Sequence, residues 1–269
     1  MVTKNVLIAV RTYPTPARKG VEVSCTAGVT DEGKWIRLFP LPYRRLERSQ
    51  QFTKYDWISV DVHKASDARQ ESYNPHCDSI AILPGQHVGT ERGWEARKKI
   101  IAPLKAHCLC CLKKAGDDPA APTLGVFKPA AIKRFYVRKG APNWTADQLA
   151  SLRQTQMDLF PGGNVSQQEL EKIPYNFSYS FQCDEASCRG HDLLCTDWEL
   201  AEAYRRWRSY GPKWETQLRK KFETEMIEKF DTHFYVGTVH RYPGTWIIVG
   251  LFYPPRTRKT ADTDQGRLF

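Results

Sequence analysis

The sequence has no long hydrophobic run. Its longest apolar stretch, Trp246 to Tyr253, is far shorter than the roughly 20 residues that a membrane-spanning helix needs. At the N-terminus only Val6 to Val10 is continuously apolar, which is too short for the central region of a secretory signal. We therefore expect a cytoplasmic protein that does not contact membranes.

The common catalytic motifs are also missing. The chain has no GxSxG elbow, no phosphate-binding glycine-rich loop and no HExxH pair. Asp197 and Glu199 are two residues apart, so on a helix they would not share a face or converge on one metal ion. Asp197 instead fits the N-cap of a helix. We therefore assign no catalytic residues.

Acidic side chains are scarce in the N-terminal part. The 269 residues include 40 Lys and Arg against 30 Asp and Glu, which gives a net charge of +10. Residues 1–150 hold 24 basic and 14 acidic side chains, whereas residues 151–269 hold 16 of each. Such a local excess attracts polyanions, and nucleic acid adds to the attraction because it releases condensed counterions. We therefore expect binding to nucleic acid, with DNA favoured, that weakens as salt increases.

The chain pattern predicts an α+β protein. Four strand-like segments fall between Asn5 and Val62, a density typical of a small barrel. We predict two small OB-like β-barrel domains with helical insertions. The expected boundaries are an N-terminal domain over 1–115 with a helix over 91–107, a C-terminal domain over 122–254 that carries a Cys/His loop, and a disordered tail over 255–269.

Aromatic residues alternate in one later segment. Tyr175, Phe177, Tyr179, Phe181 and Cys183 occupy every second position and would line one face of a strand. A regular apolar stripe of this kind is typical of a core face. Aromatic rings on a sheet can instead stack on unpaired bases, so this alternative stays open.

A resemblance supports the dual-barrel prediction. The segment from Val23 to Arg44, VSCTAGVTDEGKWIRLFPLPYR, resembles the opening of bacterial dual-OB-domain proteins, in which a CxAG strand precedes GKWIRL. The later segments SFQCDEASCRGHDLLCTDWE and FYVGTVHRYPGTWIIVGLFYPP resemble parts of uncharacterised relatives of that group. Such proteins are associated with mobile-element and defence loci. The resemblance implies two small barrels and nucleic-acid contact, and it carries no catalytic residues.

The N-terminal segment contains both features that OB barrels use to bind single strands, a basic groove and exposed aromatic rings. These candidates lie in the first 55 residues. They are Arg11, Tyr13, Arg18, Lys19, Lys34, Arg37, Arg44, Arg45, Lys54 and Tyr55.

Eight cysteines in a reducing compartment favour free thiols or metal ligands over disulfides. Cys183, Cys188 and His191 have the spacing Cx4Cx2H, and Cys195 follows as a fourth candidate ligand. Thiolate and imidazole are the ligands that tetrahedral zinc prefers, so a zinc ion would hold this loop in place. The alternative fourth ligands are Cys108, Cys110 and Cys111. An iron–sulfur cluster bound by both cysteine groups is the alternative cofactor.

Two pentapeptides fit QxxLF, a pattern by which bacterial proteins dock on the DNA sliding clamp. QMDLF places Gln156, Leu159 and Phe160 at the end of a predicted helix over 145–160, where core packing is the competing interpretation. QGRLF places Gln265, Leu268 and Phe269 at the end of the polar tail. Leu and Phe would fill an apolar pocket while Gln anchors the segment.

Three functions remain open at this point. The first is a nucleic-acid-binding accessory protein of a defence, mobile-element or repair system that docks on the sliding clamp. The second is a metal-dependent nuclease or other DNA-processing enzyme. The third is a protein-interaction subunit of a defence complex.

Overall fold

The computed structural model describes residues 1–17, 22–67, 69–116, 118, 120–150, 152, 169–240 and 242–256. The strands of its first sheet are β1 (Val2–Arg11), β2 (Thr15–Pro16), β3 (Glu22–Thr30), β4 (Trp35–Leu41), β5 (Trp57–Lys64), β6 (Ser72–Pro75) and β7 (Ala81–Ile82). The strands of its second sheet are β8 (Leu124–Phe127), β9 (Ala131–Lys139), β10 (Tyr175–Gln182), β11 (His191–Cys195), β12 (His233–Val239) and β13 (Tyr242–Phe252).

Helices lie between and after these strands. Two of them, α1 (Glu91–Ile101) and α2 (Leu109–Ala115), connect the sheets. Further α-helices are α3 (Trp198–Trp207), α4 (Trp214–Arg219) and α5 (Met226–Glu228). Within the described part of the chain, none of the helices has both the length and the apolar character needed to cross a bilayer.

The first sheet closes into a barrel. Its strands follow the order β1-β3-β4-β6-β5, and β5 pairs in turn with β1, so five strands form a closed ring. The interior is filled by the alternate, buried side of each strand, for example Ile58, Val60 and Val62 of β5. This architecture confirms the α+β fold class with OB-like barrel structure and helical insertions.

The second sheet has the order β8-β12-β13-β11-β10-β9. The alternating aromatic residues of β10 point into its core: Phe177, Tyr179 and Phe181 are buried, and the Tyr179 ring lies 4.9 Å from that of Phe135 on β9. The interpretation of this stripe as a core face is confirmed. Base stacking by these rings is therefore excluded.

The barrel and the second sheet share one apolar cluster. Leu7 and Val10 of β1 pack in it with Val126 of β8, Tyr235 of β12 and Phe252 of β13. The two halves are therefore joined by buried hydrophobic contacts as well as by the chain.

The predicted helix over 91–107 is found as α1 followed by a 3-10 turn over Ala102–Leu104 that contains Pro103. Of the predicted helix over 145–160, residues 146–150 and 152 are helical, and the other positions after 150 lie outside the described residues. The predicted tail is described only at residues 255 and 256.

Gly28, in the CxAG segment, lies where β3 meets β1 at close range. A Cβ atom there would overlap the carbonyl oxygen of Leu7 and lie 2.7 Å from Cγ1 of Val6. We expect Gly28→Ala to lower the free energy of unfolding by about 1–3 kcal/mol, because the packed barrel must shift to accept the methyl group. Urea unfolding followed by tryptophan fluorescence measures this change.

The control is Gly244→Ala, because a Cβ atom at Gly244 meets nothing within 4 Å. Its effect should stay within about 0.5 kcal/mol. Equal stability of the two variants would contradict the close approach at Gly28.

Candidate metal centre and candidate nucleic-acid interface

Four metal-ligating side chains converge beside the second sheet. Cys110 lies in the first turn of α2, Cys183 directly follows β10, and His191 opens β11. Cys188 lies in the loop between those strands. Because β10 and β11 are antiparallel neighbours with Phe181 opposite His191, the hairpin returns the chain to the same point, where α2 supplies the fourth donor.

The donor atoms are compactly arranged. All four lie within 4.8 Å of one another. Nε2 of His191 lies 3.2 Å from Sγ of Cys110 and 3.5 Å from Sγ of Cys188. The His191 ring also packs on Phe181, with ring centroids 5.3 Å apart, which fixes its orientation. These groups are placed close enough to hold one metal ion.

The backbone favours a negative charge on one of these sulfurs. The N–H groups of Cys183 and Gly190 donate to Sγ of Cys188, at 3.3 and 3.4 Å. Gly190 has φ +92°, a left-handed conformation that glycine adopts without strain. Burial alone would raise the pKa of Cys188, but these N–H groups, together with side-chain hydrogen bonds from Cys110 and Cys183, outweigh it and lower that pKa.

The other donors are neutral when no metal is bound. Burial raises the pKa of Cys110 to about 12 and also raises the pKa of Cys183. Burial, followed by the charge of Lys113, lowers the pKa of His191, so its imidazole is neutral and can act as a ligand. Metal binding therefore has to release thiol protons, which makes it dependent on pH.

Cys195, the fourth ligand favoured by the sequence, is not part of this group among the described residues. It lies four residues after His191 on β11, and four strand residues span about 13 Å, too far for a shared ion. Its thiol is buried in the core of the second sheet. This prediction is corrected: the structure places Cys110, one of the three alternatives, beside the loop.

Cys108, the N-cap residue of α2, and Cys111 in its first turn form a separate group with Glu185. The sulfurs of Cys108 and Cys111 lie 2.8 Å apart, and the Cys111 N–H donates to Sγ of Cys108 at 3.2 Å. The hydrogen bond with Cys108, and then burial, raises the pKa of Cys111. The two sulfurs therefore form a close, hydrogen-bonded pair.

Basic side chains lie on the outer face of β9. Arg134, Tyr136 and Arg138 alternate with Phe135 and Val137, which pack on the core. The guanidinium groups of Arg138 and Arg134 lie 4.3 and 5.8 Å from the centroid of the Tyr136 ring. We call Arg134, Tyr136 and Arg138 the β9 basic face.

Neutral polar residues continue this face onto β10. Ser180, Ser178 and Asn176 lie opposite Arg134, Tyr136 and Arg138 in the strand register. The next strand brings in one acid, because Asp192 of β11 lies opposite Ser180.

The comparisons with known proteins fall on both halves of the chain. A family model described as "Domain of unknown function (DUF8757)" matches residues 105–269, which is more than half of the chain. The chain belongs to this family. A second model, described as "Domain of unknown function (DUF8758)", matches residues 2–103. No curated protein matches the chain.

Both candidate sites lie in the DUF8757 part. The four metal-ligating residues and the β9 basic face all fall within 105–269. The N-terminal basic residues chosen from the sequence fall in the DUF8758 part, within 2–103.

Three of those N-terminal candidates are buried. Arg37 is 2% exposed and its Nη2 donates to the carbonyl oxygen of Thr123 at 3.1 Å. The Lys54 side chain is 8% exposed, with Nζ 3.4 Å from Oδ2 of Asp197. Tyr55 is also buried. The prediction that these residues contact nucleic acid is therefore corrected, because they serve internal ion pairs and packing.

Most of the other candidates have partners within the chain. The Arg11 guanidinium lies between two rings, 4.0 Å from the centroid of Tyr43 and 4.3 Å from that of Trp198. The Tyr13 hydroxyl donates to the carbonyl oxygen of Glu171. Such contacts are structural, so they reduce the free cationic surface of the barrel.

Arg44 and Lys34 pair with carboxylates. Nη1 of Arg44 lies 3.0 Å from Glu22, and Nζ of the exposed Lys34 lies 3.2 Å from Glu32. Arg45 is half-buried. Arg18 and Lys19 lie outside the described residues, as do both QxxLF segments with Gln156, Leu159, Phe160, Gln265, Leu268 and Phe269. Clamp docking therefore stays a prediction.

The β9 basic face could be found from the sequence, but only by combining the charge of the residues with their alternation along the strand. Residues 101–150 hold eight basic and three acidic side chains. Within them, Arg134, Tyr136 and Arg138 alternate with apolar residues, as the exposed side of a half-buried strand does.

Proposed function

We propose that this chain is a nucleic-acid-binding accessory protein that contacts its ligand through the β9 basic face, with a zinc ion holding the adjacent loop. The supporting observation is the arrangement of two exposed arginines around one tyrosine ring. Phosphates bind the guanidinium groups, and a base can stack on the ring or on a guanidinium plane.

The charge of this face supports the proposal. Among the residues that the structure describes, neither Arg134 nor Arg138 has a carboxylate within 4.0 Å, in contrast to the N-terminal Arg44 and Lys34. Both guanidinium groups are exposed. A phosphate can therefore bind these guanidinium groups without displacing an internal ion-pair partner, and each contact releases condensed counterions.

The donor set supports zinc as the metal. Zinc with Zn–S bonds of about 2.3 Å and Zn–N bonds of about 2.0–2.1 Å sets neighbouring sulfur and nitrogen donors about 3.6 Å apart in a tetrahedron. The sulfur–nitrogen distances of 3.2 and 3.5 Å to His191 are close to this value. Four-thiolate iron–sulfur ligation is less well supported, because this group has three cysteines and one histidine.

Salt-titrated binding to fluorescent oligonucleotides tests the interface. We expect the double variant Arg134→Ala and Arg138→Ala to lower the slope of log K against log salt by about 1.4 units for single strands and about 1.8 for duplex, because two phosphate contacts are lost. Tyr136→Ala should weaken single-strand binding by about 1–3 kcal/mol and leave the slope unchanged.

The matched control removes the same charge elsewhere. Arg206→Ala with Lys220→Ala changes two exposed cations outside β9 and should leave the slope unchanged. An equal loss of slope in both double variants would show that only the net charge of the protein matters. That result would contradict a defined interface on β9. Cleavage of the oligonucleotide in Mg²⁺ would instead support the nuclease alternative, and no binding at all would support a protein-interaction subunit.

A further inference from the structure

The dithiol of α2 is distinct from the metal-binding group beside it. Cys108 and Cys111 are three residues apart with sulfurs 2.8 Å apart, while Cys110 between them faces the other group. Cys108 is fully buried and Cys111 is half-buried. Cys111 is therefore the more exposed residue of the pair.

A second metal ion fits this pair less well than a dithiol does. Two thiolates on a tetrahedral zinc ion lie about 3.8 Å apart, given Zn–S bonds of about 2.3 Å, and the observed sulfurs are 1 Å closer. The carboxylate of Glu185, the third donor of this group, already has partners: it lies 3.2 Å from the Ser187 hydroxyl and 4.0 Å from Nζ of Lys114.

We propose that Cys108 and Cys111 form a reversible oxidation site that reacts with peroxides. The Cys111 thiol first gives its proton to water; the thiolate attacks hydrogen peroxide, the O–O bond breaks, the leaving hydroxide takes up a proton to become water, and Cys111 becomes a sulfenic acid. The Cys108 thiol then attacks that sulfur, the S–O bond breaks, and a second water leaves as the disulfide forms. Two thiols thus lose two electrons and two protons, and one peroxide is reduced to two waters.

The position of this cysteine pair beside Cys110 determines what its oxidation would do to the metal-binding group. The disulfide would close the first turn of α2 around Cys110 without using any of the four metal-ligating residues. Oxidation should therefore leave the metal bound while it cross-links the turn that presents one ligand. A thiol reductant would return the pair to its dithiol form.

Peptide mapping of the full-length, metal-loaded protein tests the site. The protein is treated with hydrogen peroxide, quenched, and denatured in excess iodoacetamide before trypsin digestion. Peptide 106–113 contains Cys108, Cys110 and Cys111. After oxidation we expect this peptide to carry a single alkyl group, located on Cys110 by fragmentation, and to carry three alkyl groups when the oxidised protein is reduced with dithiothreitol before alkylation. Metal content should remain at one ion per chain.

Each other result contradicts the proposal. Three alkyl groups after peroxide treatment would show that no disulfide forms, and a disulfide that includes Cys110 would show that the metal-binding group is oxidised instead. Two metal ions per chain, with Cys108 and Cys111 protected from alkylation in the untreated native protein, would identify a second metal site. Cys77, a half-buried cysteine outside both groups, is the internal control and should remain alkylated throughout.

Discussion

Replacing Cys110 with serine is expected to remove most of the bound zinc. The free energy of zinc binding at structural sites is about 10–16 kcal/mol in total, so one of four ligands accounts for about 3–4 kcal/mol. That loss corresponds to a fall in affinity of about 100- to 1000-fold. Competition with a chromophoric zinc chelator measures the affinity, and elemental analysis measures the zinc content of the purified protein.

The loss of zinc should also lower stability. In the proposed site the ion joins Cys110 on α2 to the loop between β10 and β11, so its removal would free both segments. Thermal unfolding of Cys110→Ser should begin at a lower temperature than in the wild type, and addition of a strong chelator should lower the wild-type temperature but not that of the variant.

The matched control is Cys195→Ser, because Cys195 is a buried cysteine outside the group. This variant should lose stability through a polar group in the core but keep one zinc ion. Equal zinc content in wild type, Cys110→Ser and Cys195→Ser would contradict the four-ligand assignment.

Replacing Asp197 with alanine is expected to destabilise the fold by about 3–5 kcal/mol, because it removes the buried carboxylate that faces Lys54 and leaves that lysine only the more exposed Glu199. Oδ2 of Asp197 lies 3.4 Å from Nζ of Lys54 and accepts the Leu251 N–H at 3.0 Å. Oδ1 accepts the Glu199 N–H at 2.7 Å as the N-cap of α3. Urea unfolding measures the loss.

The effect should be constant across neutral pH. Burial alone would lower the pKa of Lys54, but the carboxylates of Asp197 and Glu199 outweigh it, so the pKa is raised. A lysine whose folded pKa is raised contributes its full stability below the unfolded value of about 10.4 and loses it only as the pH rises through the folded value. The contribution of Lys54 should therefore be the same at pH 6.5 and 8.5. Burial raises the pKa of Asp197, so a larger difference between wild type and variant at pH 6.5 would show that this carboxyl takes up a proton in the folded protein.

An exposed ion pair provides the control. Lys99 pairs with Glu95 at 3.0 Å, and both side chains are about half exposed or more. Lys99→Ala should change stability by at most about 0.5 kcal/mol. A loss in Asp197→Ala no larger than this would show that the Lys54 pair does not hold the halves together.

The strands could be predicted from the sequence because the alternation of buried and exposed side chains involves only neighbouring residues. The alternation in β5 and β10 sets which side chains are buried, and the structure buries Val60 and Tyr179 accordingly. N-capping by Asp197 was predictable for the same reason. These features depend on residues a few positions apart.

The candidate sites depended on contacts that are distant in sequence. Three of the four candidate metal ligands lie between residues 183 and 191, but Cys110 lies 81 residues before His191, so only the fold brings it there. Lys54 lies 143 residues before Asp197, and its charge is neutralised by a carboxylate that no local pattern reveals. Counting charges overestimated the cationic surface of the barrel for this reason.

The apolar cluster shared by β1, β8, β12 and β13 includes residues from both sides of the junction between the two family matches. Those matches end at residue 103 and begin at residue 105, yet Leu7 shares one buried apolar cluster with Val126 and Phe252 across that point. Each half expressed alone would present half of a hydrophobic interior to water. The junction at residue 104 therefore divides the sequence but not the folding unit.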